Sequence, residues 1–263
     1  MPGNGLVQSL ARGLTILDVV ALHGEASLQD IVAATGLKKP TAHNLVRTLI
    51  ASGYLYQTCP GAGYMLGDAP TRLALSHQQQ RLHTAGAAAM HDLREALPSA
   101  TFTLGRYIDG NITAVLRNTT TAPHHVEHPL GMIMHPYSSA TALLFQAMWD
   151  ETERDTFRLL HPFSEMGGPL WQSEEALDHF LAASRSRGGV VLDKGQSQGR
   201  NLVPLAVPIE DTPGHTTAAL GIALSGNETI AARKVNRALE AAQAAAARII
   251  EILTPKGGTQ TER

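Results

Sequence analysis

"KKPTAHNLVRTLIASGYL", residues 38–55, is the stretch on which the reading of this chain turns. Ala42, Leu45, Val46, Leu49 and Ile50 recur at helical spacing and form one apolar stripe. The opposite face carries Thr41, His43, Asn44, Arg47 and Thr48, with Lys38 and Lys39 just ahead of the helix and no acid among them. Hydrogen-bonding groups and positive charge on one face are the chemistry that meets phosphates and base edges.

Pro40 falls near the first helical position, where its missing N–H costs nothing, and Gly53 ends the helix. Upstream, "SLQDIVAATG" opens on Ser27 with Asp30 three residues on, a capping box with Asp in place of Glu, and closes on Gly36. Leu10, Leu14, Leu17 and Ala21 predict a first helix that ends near His23-Gly24. Downstream, "YLYQ" and "YML" bracket the turn "TCPGAG" and predict a two-stranded hairpin. Three helices, the last two joined by a tight turn, followed by a hairpin make a winged helix-turn-helix, whose second motif helix lies in the DNA major groove. A purely structural three-helix unit is the plain alternative. Over residues 1–75, Arg12, Lys38, Lys39, Arg47 and Arg72 oppose Asp18, Glu25, Asp30 and Asp68. Three of those cations lie on or beside the third helix and none of the acids does, which favours DNA.

The chain has 263 residues, of which 43% are hydrophobic and 17% charged, so two globular domains are expected. No run of 18 apolar residues is present to span a membrane, and "MPGNGLVQSLARG" lacks the apolar core of a signal peptide. The single cysteine, Cys59, excludes an intramolecular disulfide and a multi-thiolate metal site within one chain. A cytoplasmic protein is the expectation. The net charge of −2 neither calls for nucleic acid nor excludes it.

Residues 69–97 are helical in propensity, rich in small residues and end at Pro98, as suits a connector with a dimer contact. Beyond it, "TFTLGRYIDGNITAVLRNT" alternates on both sides of Asp109-Gly110, a hairpin signal. "GMIMHPY" reads as a further strand, residues 138–160 and 173–187 as helices, "GGVVLDKG", "LVPLAVPIED" and "HTTAALGIALSG" as strands, and residues 228–253 as a terminal helix whose alanine-rich "ALEAAQAAAARIIEIL" is expected to share the dimer contact with the connector. The expected fold is α+β with an antiparallel sheet. The expected domains are 1–68 (DNA-binding), 69–97 (linker helix) and 98–263 (effector-binding).

"SLARGLTILDVV", "SLQDIVAATGLKKPTAHNLVRTLIASGYL" and "GYMLG" resemble the N-terminal domain of the IclR family of bacterial transcriptional regulators, and "MHPYSSATALL", "GGVVLD" and "LAVPIED…AALGIALSG" extend the resemblance. Arg12, Leu37, Lys39, Thr41, His43 and Leu45 are shared with that family. Pro40 and Asn44 stand where the family often has Ser and Arg, so the operator sequence does not carry over. The resemblance implies a GAF-like effector-binding domain, a pocket shaped in part by His135, and dimers that often pair into dimers of dimers. By role, Arg12, Lys38 and Lys39 would serve phosphates. Thr41, His43, Asn44 and Arg47 would face base edges, with Gln57 and Tyr64 on the wing.

For the effector, Ser138 and Ser139 open a helix, where N–H groups and the helix dipole favour an anion, and Tyr137 adds a hydroxyl. Simple N-caps are the alternative role for the serines. Gly221, Ala223 and Ser225 alternate along one strand face, Met132 and Met134 supply an adaptable apolar wall, and Asp193 is placed to accept a hydroxyl proton. Family pockets lie between this helix start and these strands, and family effectors are often small organic or aromatic acids. The room left at 221 and 223 favours a hydroxybenzoate-like acid over a two-carbon one. No cofactor and no metal is expected.

Two other constellations compete. "GQSQG", residues 195–199, fits the G-x-S-x-G elbow of serine hydrolases, with Ser197 as nucleophile and Asp211 and His215 following. The elbow needs a helix after the serine, and "RNLVPLAVPIED" with Pro204 and Pro208 predicts a strand. "PHHVEHP" gathers His124, His125, Glu127 and His128, but its prolines argue for a loop without metal-ligand spacing. The leading expectation is a ligand-responsive repressor of a catabolic operon acting on double-stranded DNA as a homodimer, with no membrane partner. A serine hydrolase and a constitutive architectural DNA binder are the other readings.

Overall fold

The structure, a computed structural model, describes residues 6–193, 202–212, 214–225 and 232–254. The chain divides into two compact units, 1–79 and 80–263.

In the first unit, α1 (Gln8–His23), α2 (Leu28–Thr35) and α3 (Lys39–Ala51) precede β1 (Leu55–Tyr56) and β2 (Met65–Leu66). Local chemistry sets these boundaries. The Ser27 hydroxyl and backbone N–H both donate to the Asp30 carboxylate, and Ser27 Oγ accepts from the Asp30 N–H, so orphan donors at the start of α2 are satisfied. Those bonds hold the Asp30 carboxyl below its ordinary pKa. Gly36, at φ 65°, returns its N–H to the Val32 carbonyl and turns the chain into α3. The β1–β2 hairpin pairs Leu55 with Leu66 and Tyr56 with Met65, and a bridge from Tyr64 to Ala26 ties it to the start of α2.

The core of this unit is Ile16, Val20, Ile31, Ala42, Val46 and Leu55. Helix α1 therefore buries Gly13, Ile16 and Val20, and not the Leu10–Leu14 face on which its periodicity was read. Leu10 remains 63% and Leu14 53% exposed.

Helix α4 (Asp68–Ala96) crosses the boundary between the units; residues 71–80 are exposed throughout, whereas Leu82, Ala85, Met90 and Leu93 are buried in the second unit. There, β3 (Ala100–Ile108), β4 (Asn111–Asn118), β5 (Val190–Val191), β6 (Leu202–Thr212) and β7 (His215–Ser225) form an antiparallel sheet in the order β4-β3-β7-β6-β5. The β3–β4 turn is Asp109 and Gly110, both at positive φ, the pairing that matches a two-residue hairpin to strand twist. One face of the sheet packs against α4 and α9 (Ala232–Leu253), and the other against α5 (Ala140–Met148) and α8 (Glu174–Arg187).

Three expectations change. The helix expected over 138–160 is two, α5 and α6 (Glu151–Leu160), because Asp150 caps α6 in a box with Glu153 and ends the run at Trp149. The segment expected as a strand at 131–137 makes only the isolated bridge Thr113–Ile133. The alanine face of α9 packs Ala238, Ala242, Ala245, Ala246 and Ile249 into its own core and so is spent inside the subunit. A short helix, α7 (Phe163–Met166), was not foreseen.

Candidate functional site

Two sites emerge, one in each unit. In the first, α3 presents His43, Asn44, Arg47 and Thr48 on its exposed side, with Thr41 half-buried and Lys38 and Lys39 exposed at its start. Among the described residues the side chains of His43, Asn44 and Arg47 make no hydrogen bond, whereas the Thr48 hydroxyl donates to the Asn44 carbonyl. Arg12 is exposed on α1 and donates to Gln8. The wing residues are placed differently from the expectation. Tyr64 is buried in the core of the unit, and Gln57 spends its amide on the Ala62 carbonyl at 2.7 Å inside the hairpin. Tyr64 lies just ahead of β2, where its backbone bridges Ala26 and its ring turns into the core.

In the second unit, a cavity of about 390 Å³ lies on the α5 side of the sheet. Six of the nine expected effector residues line it: Met132, Met134, Ser138, Ser139, Gly221 and Ala223. Ser139 is the N-cap residue of α5 but makes no side-chain cap bond, so neither serine is committed as a cap and the first N–H groups of the helix lack that partner. Tyr137, Ser225 and Asp193 do not line it. The Tyr137 ring is 1% exposed and its hydroxyl donates to the His161 carbonyl at 2.6 Å; burial pushes its pKa up to about 12. The Ser225 hydroxyl donates to the Ser99 carbonyl, and Asp193 is exposed.

Gly221 does not leave the room expected of it. A Cβ there would lie 2.6 Å from Thr141 Oγ1, and one at Gly105 would lie 2.4 Å from Thr141 Cγ2. The two glycines, on neighbouring strands, let Thr141 seat α5 directly on the sheet, so the missing side chains serve packing. The residues that sequence reasoning missed include Thr101, Thr103 and Arg117 from β3 and β4, Thr141 from α5, and Leu202, Pro204 and Leu205 from the start of β6. The alternating threonines of "TFTLG" were a legible signal, but the face taken by Arg117 was not. His135 also lines the cavity; its Nδ1 accepts the Tyr137 N–H at 3.3 Å, and burial pushes its pKa down.

Ser197 lies outside the described residues. The chain runs on from Leu202 as strand β6, where a nucleophile elbow requires a helix, and Asp211 meets His215 at 2.6 Å in the exposed β6–β7 turn. In "PHHVEHP", Glu127 pairs with Arg117, and His128 instead lies 5.0 Å, ring to ring, from His83. Among the described residues no group of three or more His, Cys, Asp or Glu is placed to hold a metal ion, and no helix is long and apolar enough to cross a membrane.

Residues 9–58 match the model of the IclR helix-turn-helix domain. No curated protein matches the chain. Among solved structures, HmgR of Pseudomonas aeruginosa is similar at 24% identity over 96% of this chain and 100% of that one, with a TM-score of 0.53. An IclR homologue of Microbacterium hydrocarbonoxydans in complex with 4-hydroxybenzoate is 20% identical over 93% and 98%, also with a TM-score of 0.53. The repressor BlcR of Agobacterium tumefaciens is 22% identical over 94% and 97%, with a TM-score of 0.52. Residues 9–58 are thus an IclR-type helix-turn-helix domain, and the chain shares the fold of these proteins over most of its length.

Proposed function

We propose that the chain is a cytoplasmic repressor of a catabolic operon that binds operator DNA as a homodimer and responds to a small aromatic acid. Residues 1–68 are the reader, 69–97 the linker and 98–263 the sensor. The carrying observation is the cavity beside the start of α5, where the Ser138 and Ser139 hydroxyls are not engaged in capping and the helix dipole favours an anion. The likeness to a protein holding 4-hydroxybenzoate supports the aromatic acid, and the likeness to BlcR supports repression. Calorimetry with a panel of aromatic and keto acids tests the class, together with gel shifts that follow release from the operator. Ser138→Asp, which places a like charge in the cavity, should weaken the best acid by roughly ten-fold or more. A neutral or cationic best ligand, or an unweakened Ser138→Asp variant, would overturn the reading.

The dimer reading rests on α1. Leu6, Leu10 and Leu14 form an exposed apolar stripe that continues through Leu17 into an open groove of about 500 Å³ floored by Leu45, Leu49 and Tyr54. A stripe of this kind marks an association surface, and two half-sites multiply operator discrimination. Leu73 and Leu75 on α4 are exposed as well, whereas the alanine face of α9 is buried in its own unit. Light scattering at micromolar concentration should give twice the chain mass or a higher multiple, with and without operator. A strictly monomeric mass in both conditions would sink the proposal.

A further inference from the structure

Strands β3 and β4 pair in simple hairpin register from Ile108–Asn111 to Gly105–Ala114, and then a bulge shifts the ladder by one residue. Beyond it Leu104 faces Leu116 and Thr103 faces Arg117. Without the bulge, Arg117 would stand on the face of Phe102, which packs toward α4 and α9. With it, Arg117 stands with Thr101 and Thr103 on the cavity side.

Among the described residues lining the cavity, Arg117 is the one permanent cation; burial pushes the pKa of the other basic group, His135, down and so disfavours its charged form. The Arg117 guanidinium is not idle. Its Nη1 lies 3.4 Å from Glu127 Oε1, with the two side chains 36% and 44% exposed. Backbone bonds in both directions between Arg117 and Glu127, at 2.9 and 2.8 Å, hold the carboxylate beside the guanidinium. A single long contact between half-exposed groups contributes little and is broken at small cost. A carboxylate within the cavity offers the guanidinium fork a two-point contact under partial exclusion of water, which is the stronger arrangement.

We propose that Arg117 supplies the charge by which this cavity selects acids, and that Glu127 competes with the effector carboxylate for the same guanidinium. This rests on the proposed function insofar as the ligand is an acid. Ser138 and Ser139 then provide neutral donors, and Arg117 provides the discrimination between an acid and its amide.

The test is calorimetry on the full chain with 4-hydroxybenzoate and its neutral isostere 4-hydroxybenzamide, extended to the acid panel above. Arg117→Gln should weaken the acid about ten-fold or more while changing the amide by less than about three-fold. Arg117→Lys should restore part of the loss, and Glu127→Gln should tighten the acid a few-fold by removing the competitor. Thermal unfolding of each variant, expected close to that of the parent, separates these effects from misfolding. If an acid binds the parent and Arg117→Gln binds it as tightly, the assignment of Arg117 is overturned while the acid-sensing reading stands. If no acid in the panel binds the parent chain, both fall.

Discussion

Replacing Arg94 by leucine should destabilise the second unit by about 3–5 kcal/mol. Arg94 is 8% exposed near the end of α4. Its Nη1 donates to the Pro98 and Ala100 carbonyls at 2.8 and 2.6 Å, and its Nε and Nη2 donate to Asn118 Oδ1. The guanidinium carbon lies 4.7 Å from the centre of the Phe102 ring. Asn118 in turn donates to the carbonyls of Ala122, Pro123 and His125. One side chain thus joins the end of α4, the start of β3, the end of β4 and the loop that follows. Leucine fills part of the volume but leaves buried acceptors without donors, and each such group costs about 1–3 kcal/mol, offset in part by water and relaxation. Lysine should recover only a fraction of the loss, because a single ammonium cannot reproduce the planar fork. Urea unfolding, followed by a probe within the second unit because a chain of two units need not unfold in one step, measures it. A loss below about 1 kcal/mol would mean that the network is dispensable.

The second large effect concerns DNA. Asn44→Ala and Arg47→Ala should each weaken operator binding by roughly 1–3 kcal/mol and change the preferred base at one position of each half-site. Asn is built to pair with adenine and Arg with guanine in the major groove. Both side chains are exposed on α3 and have no partner among the described residues, so truncating them should leave stability nearly unchanged and isolate the loss to binding. Lys39→Ala should behave differently, weakening operator and scrambled DNA alike and flattening the dependence on salt, as expected of a phosphate contact. Titrations on both DNAs at two salt concentrations separate the roles. An Arg47→Ala protein with unchanged affinity and preference would remove α3 as the reader.

What the sequence by itself determined about this protein is what neighbouring residues decide among themselves. The capping box of Ser27 and Asp30, the left-handed Gly36, Pro40 in the first turn of α3 and the Asp109-Gly110 turn are each complete within about four residues, so the helix-turn-helix and the β3–β4 hairpin were legible before any tertiary contact was known. The Asp150–Glu153 box is equally local and was legible in principle, but continuous helical propensity on both sides of Trp149 masked it. Tertiary structure decided which faces are spent. Leu10 and Leu14 looked like the core of α1 until Ile16 and Val20 took that place, and the alanines of α9 looked like a dimer surface until they were found against β6 and β7. Tyr64, Tyr137 and Ser225 carry groups suited to a site, yet each is engaged by a backbone or core partner distant in sequence. The cavity turned on the smallest of these decisions. Alternation has a period of two, so a single bulged residue in β4 reverses the face of everything beyond it, and only the pairing of β4 with β3 settles that Arg117 stands in the cavity and not in the opposite layer.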